Sequence, residues 1–427
     1  MAIVLFASFV LLLIFAFPVA YALGLSSVAA MAYQGGIPLT ILAQRMFTGL
    51  DSFPLLAVPF FILAGGLMET GGMSIRLIQL ANVIVGHFRG GLGQVVILAT
   101  MMFSGLSGSS AADTAAIGSI MIPSMVRKGY PRGLATAVVA ASGGFAVLIP
   151  PAITMIVYGV TANVSIGWMF FAGFGPAAVM GVGMMVTMYV IAGRMDLPME
   201  PRATCGGVWQ AFVHAILPLL MPVMVLGGIR AGVFTPTEGA IVAVVYAALL
   251  SLILYRELKI SDLPRILVTT VKLTGIVTLL IGMSSTFAWV VASQRIPQLV
   301  TQSMLGISEE PWIFLFMVNI LFLFVGTIMD PTPAIIILVP ILYPVASRLG
   351  IDPIHFGTVL VANLGIGMVT PPVGVVLYIA ASVGKTTIEE VTKHLLPFFA
   401  ALILVLLVFT YFPDVTLFVP RLFGYEK

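Results

Sequence analysis

Charge is scarce in this chain. Asp, Glu, Lys and Arg make up only 8% of its 427 residues, against about 25% in an ordinary soluble domain. With 19 basic and 16 acidic side chains it cannot clothe a water-facing surface of this size, so soluble folds are excluded. Cysteine is nearly missing as well. Cys205 is the only one, which rules out an intramolecular disulfide, and the four histidines (His87, His214, His355, His394) are scattered, so no thiolate or imidazole metal cluster is expected. The small basic excess, +3 with an isoelectric point near 9.0, gives no support to a nucleic acid partner, because surplus Lys and Arg in such a chain mark cytoplasmic loops.

What is present is apolar length. Hydrophobic residues make up 60% of the chain and the mean hydropathy is +1.16. Runs of roughly 15 to 25 apolar residues reach across a bilayer core of about 30 Å, whereas barrel strands would show short alternating segments. The expected class is an all-α polytopic membrane protein with roughly 11 to 14 membrane segments. Residues 1–25 lack a basic leading region and read as one long apolar helix, a retained span rather than a cleaved signal peptide.

Glycine and proline, 43 and 27 of them, interrupt the apolar runs at what should be membrane depth. The clearest breaks are 104–110 (SGLSGSS), 143–151 (GGFAVLIPP), 326–333 (GTIMDPTP) and 365–372 (GIGMVTPP). Irregular backbone at that depth is tolerated only inside protein or along a wet cavity. The breaks form two pairs. Asp113 and Pro123 recur 217 residues later as Asp330 and Pro340, while Gly129, Gly144, Pro150, Pro151 and Pro176 recur at a shift of 221 as Gly350, Gly365, Pro371, Pro372 and Pro397. A four-residue insertion would reconcile the two shifts. Thr161, Asn163 and Ser165 then match Ser382, Gly384 and Thr386 in position.

Charge orients the halves. The first hairpin, 91–126, stands on basic feet (Arg76, Arg89; Arg127, Lys128, Arg132), and the second, 311–347, on mixed ones (Arg295, Glu309, Glu310; Arg348, Asp352). The positive-inside tendency then opens the first re-entrant hairpin to the cytoplasm and the second to the opposite face, an inverted-topology repeat. The expected organisation is a first repeat over 1–196 with a broken helix around 149–151, a linker over 197–206, and a second repeat over 207–427 with a broken helix around 370–372. Scaffold helices are expected at 3–24, 53–68, 208–228 and 239–255.

The hairpin tip 105–114 (GLSGSSAADT) combines hydroxyls, unwound carbonyls and Asp113 near a half-helix start. Such a tip offers hard oxygen ligands to a cation such as Na+ and a positive helix end to a carboxylate. Close helix packing by small residues is the alternative. Asp113 and Asp330 are costly at membrane depth, about 2.5 to 3.5 kcal/mol each on insertion scales, and are expected to hold a cation or to cap backbone amides. The breaks before Pro150 and Pro371 free upstream carbonyls over 144–149 and 365–369 for two ion sites, unless neighbouring helices satisfy them. Thr235, Pro236 and Glu238 read as a capping box. The run Gly105-Leu106-Ser107-Gly108 also fits the GxSG of rhomboid-type intramembrane proteases, but no histidine has a matching mid-membrane place and a protease needs no second copy.

The strings FSGLSGSSAADTAAIGSIMIPSM, GGFAVLIPPAITMIVYG, GVFTPTEGA, MDPTPAIIILVPILYPVA and GIGMVTPPVGVVLY resemble the large permease subunit, DctM type, of tripartite ATP-independent periplasmic (TRAP) transporters over almost the whole chain. The resemblance implies an elevator-type secondary importer of the bacterial or archaeal inner membrane, with a transport domain moving against a scaffold. It implies Na+ as coupling ion at two or more sites and no organic cofactor. The implied partners are a small four-helix membrane subunit from another gene product and a soluble periplasmic binding protein that delivers an organic acid. By the same resemblance Ser107, Gly108, Ser109, Ser110 and Asp113 with Gly144 and Pro150 hold one sodium. Gly326, Thr327 and Asp330 with Gly365, Thr370 and Pro371 hold another, and Ser109, Asp113, Ser165 and Asp330 lie nearest the substrate. A passive anion channel is the rival within transport.

Overall fold

Apolar stretches punctuated by Gly and Pro fold into helices that end where the punctuation falls. A computed structural model describes residues 1–195, 197–371 and 373–426, so Asp196, at the expected end of the first repeat, and Pro372, in the second proline pair, lie outside the described residues. The first half contains α1 (Ala2–Ile14), α2 (Val19–Gln34), α3 (Thr40–Leu50), α4 (Ala57–Thr70), α5 (Met73–Val85), α6 (Gly91–Ser107), α7 (Ser110–Arg127), α8 (Arg132–Ala146), α9 (Ile153–Ala162) and α10 (Ile166–Met195). The second contains α11 (Cys205–Arg230), α12 (Pro236–Ala248), α13 (Leu263–Ser293), α14 (Ile296–Ile307), α15 (Pro311–Ile328), α16 (Pro331–Arg348), α17 (Pro353–Gly367), α18 (Val375–Gly384), α19 (Ile388–Tyr411) and α20 (Pro413–Leu422). Among the described residues, 8 helices are long and apolar enough to cross a membrane. The remaining apolar helices are shorter, because each broken helix supplies two half-spans where a count from chain length assumes whole ones.

Two expectations are corrected at the scaffold. The apolar run over 1–25 is not one helix: Ala16 at φ 60 and Pro18 turn the chain, and α1 folds back to pack on α2. The coarse reading of scaffold spans also passed over α13, whose 31 residues extend about 46 Å at 1.5 Å per residue. This helix packs along α2, α3 and α4, and α4 pairs with α12. The start of α12 is a capping box: Thr235 N–H donates to Glu238 Oε2 at 2.7 Å and Glu238 N–H to Thr235 Oγ1 at 3.3 Å.

The hairpins are α6–α7 and α15–α16; the broken helices are α8–α9 and α17–α18. The two halves interlock, with α9 lying on α16 of the other half and α18 on α7. Their shared centre is the crossing of α8 and α17 at Gly144 and Gly365. A Cβ built on Gly365 would stand 2.2 Å from the Gly144 carbonyl oxygen, and one on Gly144 would stand 3.1 Å from the Gly365 oxygen. Residues that correspond in the two repeats thus touch each other, as a pseudo-two-fold axis through the contact requires.

Helix ends also reset the repeat register. α7 and α16 both have 18 residues and begin at 110 and 331, so the shift is 221 here too and the four-residue insertion falls away. Gly105 then matches Gly326, and Pro123 matches Pro344 rather than Pro340. Asp330 matches Ser109, not Asp113. Beyond the breaks the shift becomes 222: Asn163 and Lys385, both left-handed at φ 55 and φ 50, end α9 and α18. Ser165 therefore pairs with Thr387, not Thr386, and Pro176 with Phe398, not Pro397.

Candidate functional site

The first tip is built by three residues with three different jobs. Ser107 ends α6, Gly108 takes the left-handed conformation at φ 65, and Ser109, extended, caps α7 by accepting from the Ala112 amide at 3.4 Å. Gly108 admits no other side chain, because a Cβ would lie 2.7 Å from the Pro151 carbonyl oxygen. The Ser107 hydroxyl joins the two arms: it donates to Asp113 Oδ1 and accepts from the Ser109 amide at 3.1 Å. Tip and break meet through the Ile153 amide, which donates to Gly108 O at 3.4 Å, and Gly105 faces the Pro150 carbonyl.

Asp113 is fully buried, and among the described residues its Oδ2 has no hydrogen-bond partner; neither have the buried hydroxyls of Ser110 and Ser142. These oxygens lie on α7 and α8, which pack against each other. Thr114, one turn beyond Ser110, presses its hydroxyl onto Gly143, where a Cβ would be only 2.0 Å away, and Ser142 directly precedes that glycine on α8. Leaving a buried polar atom unpaired costs about 1–3 kcal/mol, so three on one packed helix pair need a reason. Carbonyls are freed beside them. The amides of Leu148 and Val369 would ordinarily reach Gly144 and Gly365, but turn instead to Phe145 at 3.1 Å and Ile366 at 3.2 Å.

The second tip differs in backbone as well as in chemistry: Met329, which matches the left-handed Gly108, is extended at φ -136. Gly326 packs on Gly367, 2.5 Å separating a Cβ on Gly367 from the Gly326 Cα, and the Gly374 amide donates to Thr327 O at 3.0 Å. Thr327 and Thr370 donate their hydroxyl protons to Phe324 O and Ile366 O, which leaves their lone pairs open. Asp330 is the N-cap of α16 yet makes no cap hydrogen bond. Its sequence explains this: Pro331 and Pro333 remove two of the first three amides a cap would bind. The residue as a whole is exposed.

The structure therefore gathers Ser107, Gly108, Ser109, Ser110, Asp113 and Pro150 at one tip-to-break junction. It gathers Gly326, Thr327, Asp330, Thr370 and Pro371 at the other, with Gly144 and Gly365 at the crossing between. Ser165 stands apart. It caps α10, its hydroxyl accepting from the Trp168 amide at 3.4 Å, and it is separated from the Ile153 contact by the whole of α9, about 15 Å of helix.

Sequence reasoning passed over several residues here. Ser142 carries one of the unpartnered oxygens, and its repeat mate at a shift of 221 is Asn363. The Asn363 amide donates to Asn319 Oδ1 at 2.7 Å, and Asn319 donates to Thr410 at 3.2 Å. A lone polar residue at matched positions of two apolar helices was the available signal. On the scaffold side, a cavity of about 350 Å³ opposite the first tip is lined by Glu69 of α4 and Arg265 of α13 together with Ser107 and Ser109.

The family model described as "Tripartite ATP-independent periplasmic transporter, DctM component" matches residues 6–415. The chain is 40% identical over 402 residues to the C4-dicarboxylate TRAP transporter large permease protein DctM of Pseudomonas aeruginosa, covering 94% of each. It is 39% identical over 411 residues to the sialic acid TRAP transporter large permease protein SiaM of Vibrio cholerae, covering 96% of each. The crystal structure of the Alcanivorax borkumensis YdaH transporter shares the fold, with a TM-score of 0.63 at 15% identity, over 88% of this chain and 90% of that one.

Proposed function

The chain belongs to the DctM component family of tripartite ATP-independent periplasmic transporters, and from that premise we propose that it imports a small organic acid anion, of the C4-dicarboxylate, sialic acid or sugar-acid class, by sodium coupling. It is a permease and not an enzyme: Ser107 of the GxSG run is engaged by Asp113, and its relatives are transporter subunits.

The observation that supports coupling is the set of unpartnered buried oxygens on Asp113, Ser110 and Ser142. A carboxylate, two hydroxyls and nearby freed carbonyls are hard oxygen donors on discontinuous helices, a set that fits Na+. Ser107, Gly108, Ser109, Ser110 and Asp113, with Gly144 and Pro150, would hold one ion. Gly326, Thr327, Asp330, Gly365, Thr370 and Pro371 would hold a second. Bound sodium supplies the positive charge that lets a substrate carboxylate approach two aspartates. Ser107 fixes the Asp113 carboxylate between the hairpin arms. Ser109, Asp113 and Asp330 face the substrate in this reading, and the position of Ser165 speaks against a direct contact for that residue.

An elevator motion fits the division of the helices. The interlocked set of hairpins and broken helices would travel as a unit against α2, α4, α12 and α13. A small four-helix membrane subunit would widen that scaffold, and a soluble periplasmic protein would deliver the anion at the bacterial inner membrane. The test is uptake into proteoliposomes with both partners present. An inward sodium gradient should drive accumulation, and Asp113→Ala or Asp330→Ala should abolish it. Flux without a gradient would favour a passive channel instead.

A further inference from the structure

We infer that Arg265, on scaffold helix α13, reads a second acidic group on the transported anion, so that diacids depend on it and monoacids do not. This inference rests on the transport reading above and adds a residue on the opposite wall of the cavity.

The first observation is a guanidinium whose charge is felt by Glu69 but which is joined to no carboxylate by a direct ion pair among the described residues. Several basic side chains of the chain are engaged: Arg76 with Glu257, Lys128 with Glu200, Arg421 with Asp414, Arg132 with the Gly384 carbonyl, and Arg45 over the Trp289 ring. Among the described residues the Arg265 guanidinium has no ion pair within 4.0 Å and lines the cavity that faces the first tip. An arginine stays charged at any working pH and offers a planar fork that matches a carboxylate.

The second observation is placement. Gly65 of α4 touches Ser107, a Cβ there lying 3.0 Å from the Ser107 Cα, and the adjacent Gly66 touches Ile266, next to Arg265. Glu69 follows Gly65 by one helical turn, about 6 Å along α4, and lines the cavity with Asp262 and Arg265. The cavity therefore has two poles. One is the tip, with the Ser109 hydroxyl and the start of α7; the other is Arg265 with two carboxylates. A monoacid satisfies the tip alone. A four-carbon diacid seated there extends its far carboxylate toward Glu69 and Asp262, which repel it unless Arg265 takes it bidentately. The two acids thus act as a filter that only an arginine-bound group passes.

The third observation is that Arg265 sits on the scaffold while the tip belongs to the hairpin unit. The two poles face each other only when the first tip lies beside α13, so the contact belongs to one end of the transport motion.

The test uses the full chain purified with its small subunit in detergent, with succinate and butyrate as four-carbon probes read by thermal shift over a sodium series. Sodium alone should stabilise wild type, Arg265→Gln and Arg265→Lys equally. With sodium saturating, succinate should bind wild type more tightly than butyrate does. Arg265→Gln should weaken succinate about tenfold or more, the scale of a charged hydrogen-bonded contact, and leave butyrate unchanged, with Arg265→Lys between. Equal succinate affinity in wild type and Arg265→Gln, or no preference for succinate over butyrate in wild type, would overturn the inference. A missing sodium shift with arginine-dependent succinate binding intact would sink the coupling reading and leave the role of Arg265 standing.

Discussion

Replacing Gly365 by alanine probes the crossing on which both halves turn. In an unobstructed helix the change stabilises by about 1 kcal/mol, because alanine loses less backbone freedom than glycine. Here the new Cβ would stand 2.2 Å from the Gly144 carbonyl oxygen and 2.5 Å from Val147 Cγ2. The valine can rotate; the backbone oxygen cannot, so α8 and α17 must part. Moving close-packed atoms apart by 0.5–1 Å forfeits roughly a quarter to a half of their dispersion energy, and overpacking of this kind costs about 1–3 kcal/mol. The mirror substitution Gly144→Ala meets Val369 Cγ1 at 2.9 Å and the Gly365 oxygen at 3.1 Å; rotation of the valine relieves the first contact, and a backbone shift of only a few tenths of an ångström relieves the second. Thermal unfolding of the purified protein, followed by tryptophan fluorescence, should therefore show Gly365→Ala melting well below wild type and Gly144→Ala only slightly below it. Equal melting of the two variants, or a Gly365→Ala protein as stable as wild type, would refute the geometry of the crossing.

Asp113→Asn keeps the shape of the side chain and an oxygen for Ser107 but removes the charge. Two unit charges about 4 Å apart are worth about 4 kcal/mol at an effective dielectric of 20, so the sodium concentration for half-maximal uptake should rise by orders of magnitude, and an unchanged sodium dependence would exclude Asp113 as a ligand. Burial pushes the Tyr130 phenol, in the loop between α7 and α8, up to about 12, against the lowering effect of the Leu92 amide. The unfolded chain ionises that phenol near 10 while the folded chain keeps it neutral, so its contribution is complete below pH 10 and lost between pH 10 and about 12; alkaline melts of Tyr130→Phe should lack that slope. Asn319→Ala strips a partner from both Asn363 and Thr410 and should destabilise by about 1–3 kcal/mol. Combined with Asn363→Ala the costs should fall short of additive, and full additivity in a thermal cycle would mean the two amides do not share a network.

Hairpins and broken helices were legible because Gly, Ser and Pro are conspicuous in an apolar chain and membrane-depth backbone leaves them few other uses. The turn from α6 to α7 falls within the first Gly/Ser cluster and the turn from α15 to α16 within GTIMDPTP. The register between repeats was not legible in the same way. Matching by residue type paired Asp113 with Asp330 and Pro123 with Pro340, since α16 carries both Pro340 and Pro344 and either could serve. Helix starts, set by tip geometry, choose Pro344. The turn at Ala16 left only Pro18 as a signal, and a proline after sixteen apolar residues also suits the interior of a kinked span. Arg265 was hidden for another reason: in α13 it reads as one end of an over-long span, and only the fold brings that end opposite the first tip.

The corrected register changes what the two aspartates mean. Gly144 and Gly365 are shared because the pseudo-two-fold axis passes through their contact and imposes a close approach on both halves. Charges are under no such constraint. Asp113 lies within the first turn of α7, tied to the other arm through Ser107 and shut off from water, while Asp330 sits at the cap position that Ser109 fills in the first half, deprived of its amides by Pro331 and Pro333. One carboxylate is therefore tied by a hydrogen bond to the other hairpin arm, and the other makes no cap hydrogen bond among the described residues. If transport couples an ion to an anion, the tied carboxylate suits the ion, whose ligands must converge at set distances, and the uncapped one suits the substrate. Substitutions at the two positions should then separate: a change at Asp113 acts on sodium affinity, and Asp330→Asn acts on the rate of exchange at saturating sodium. Identical effects of the two on both quantities would show that the symmetry of the backbone extends to the chemistry after all.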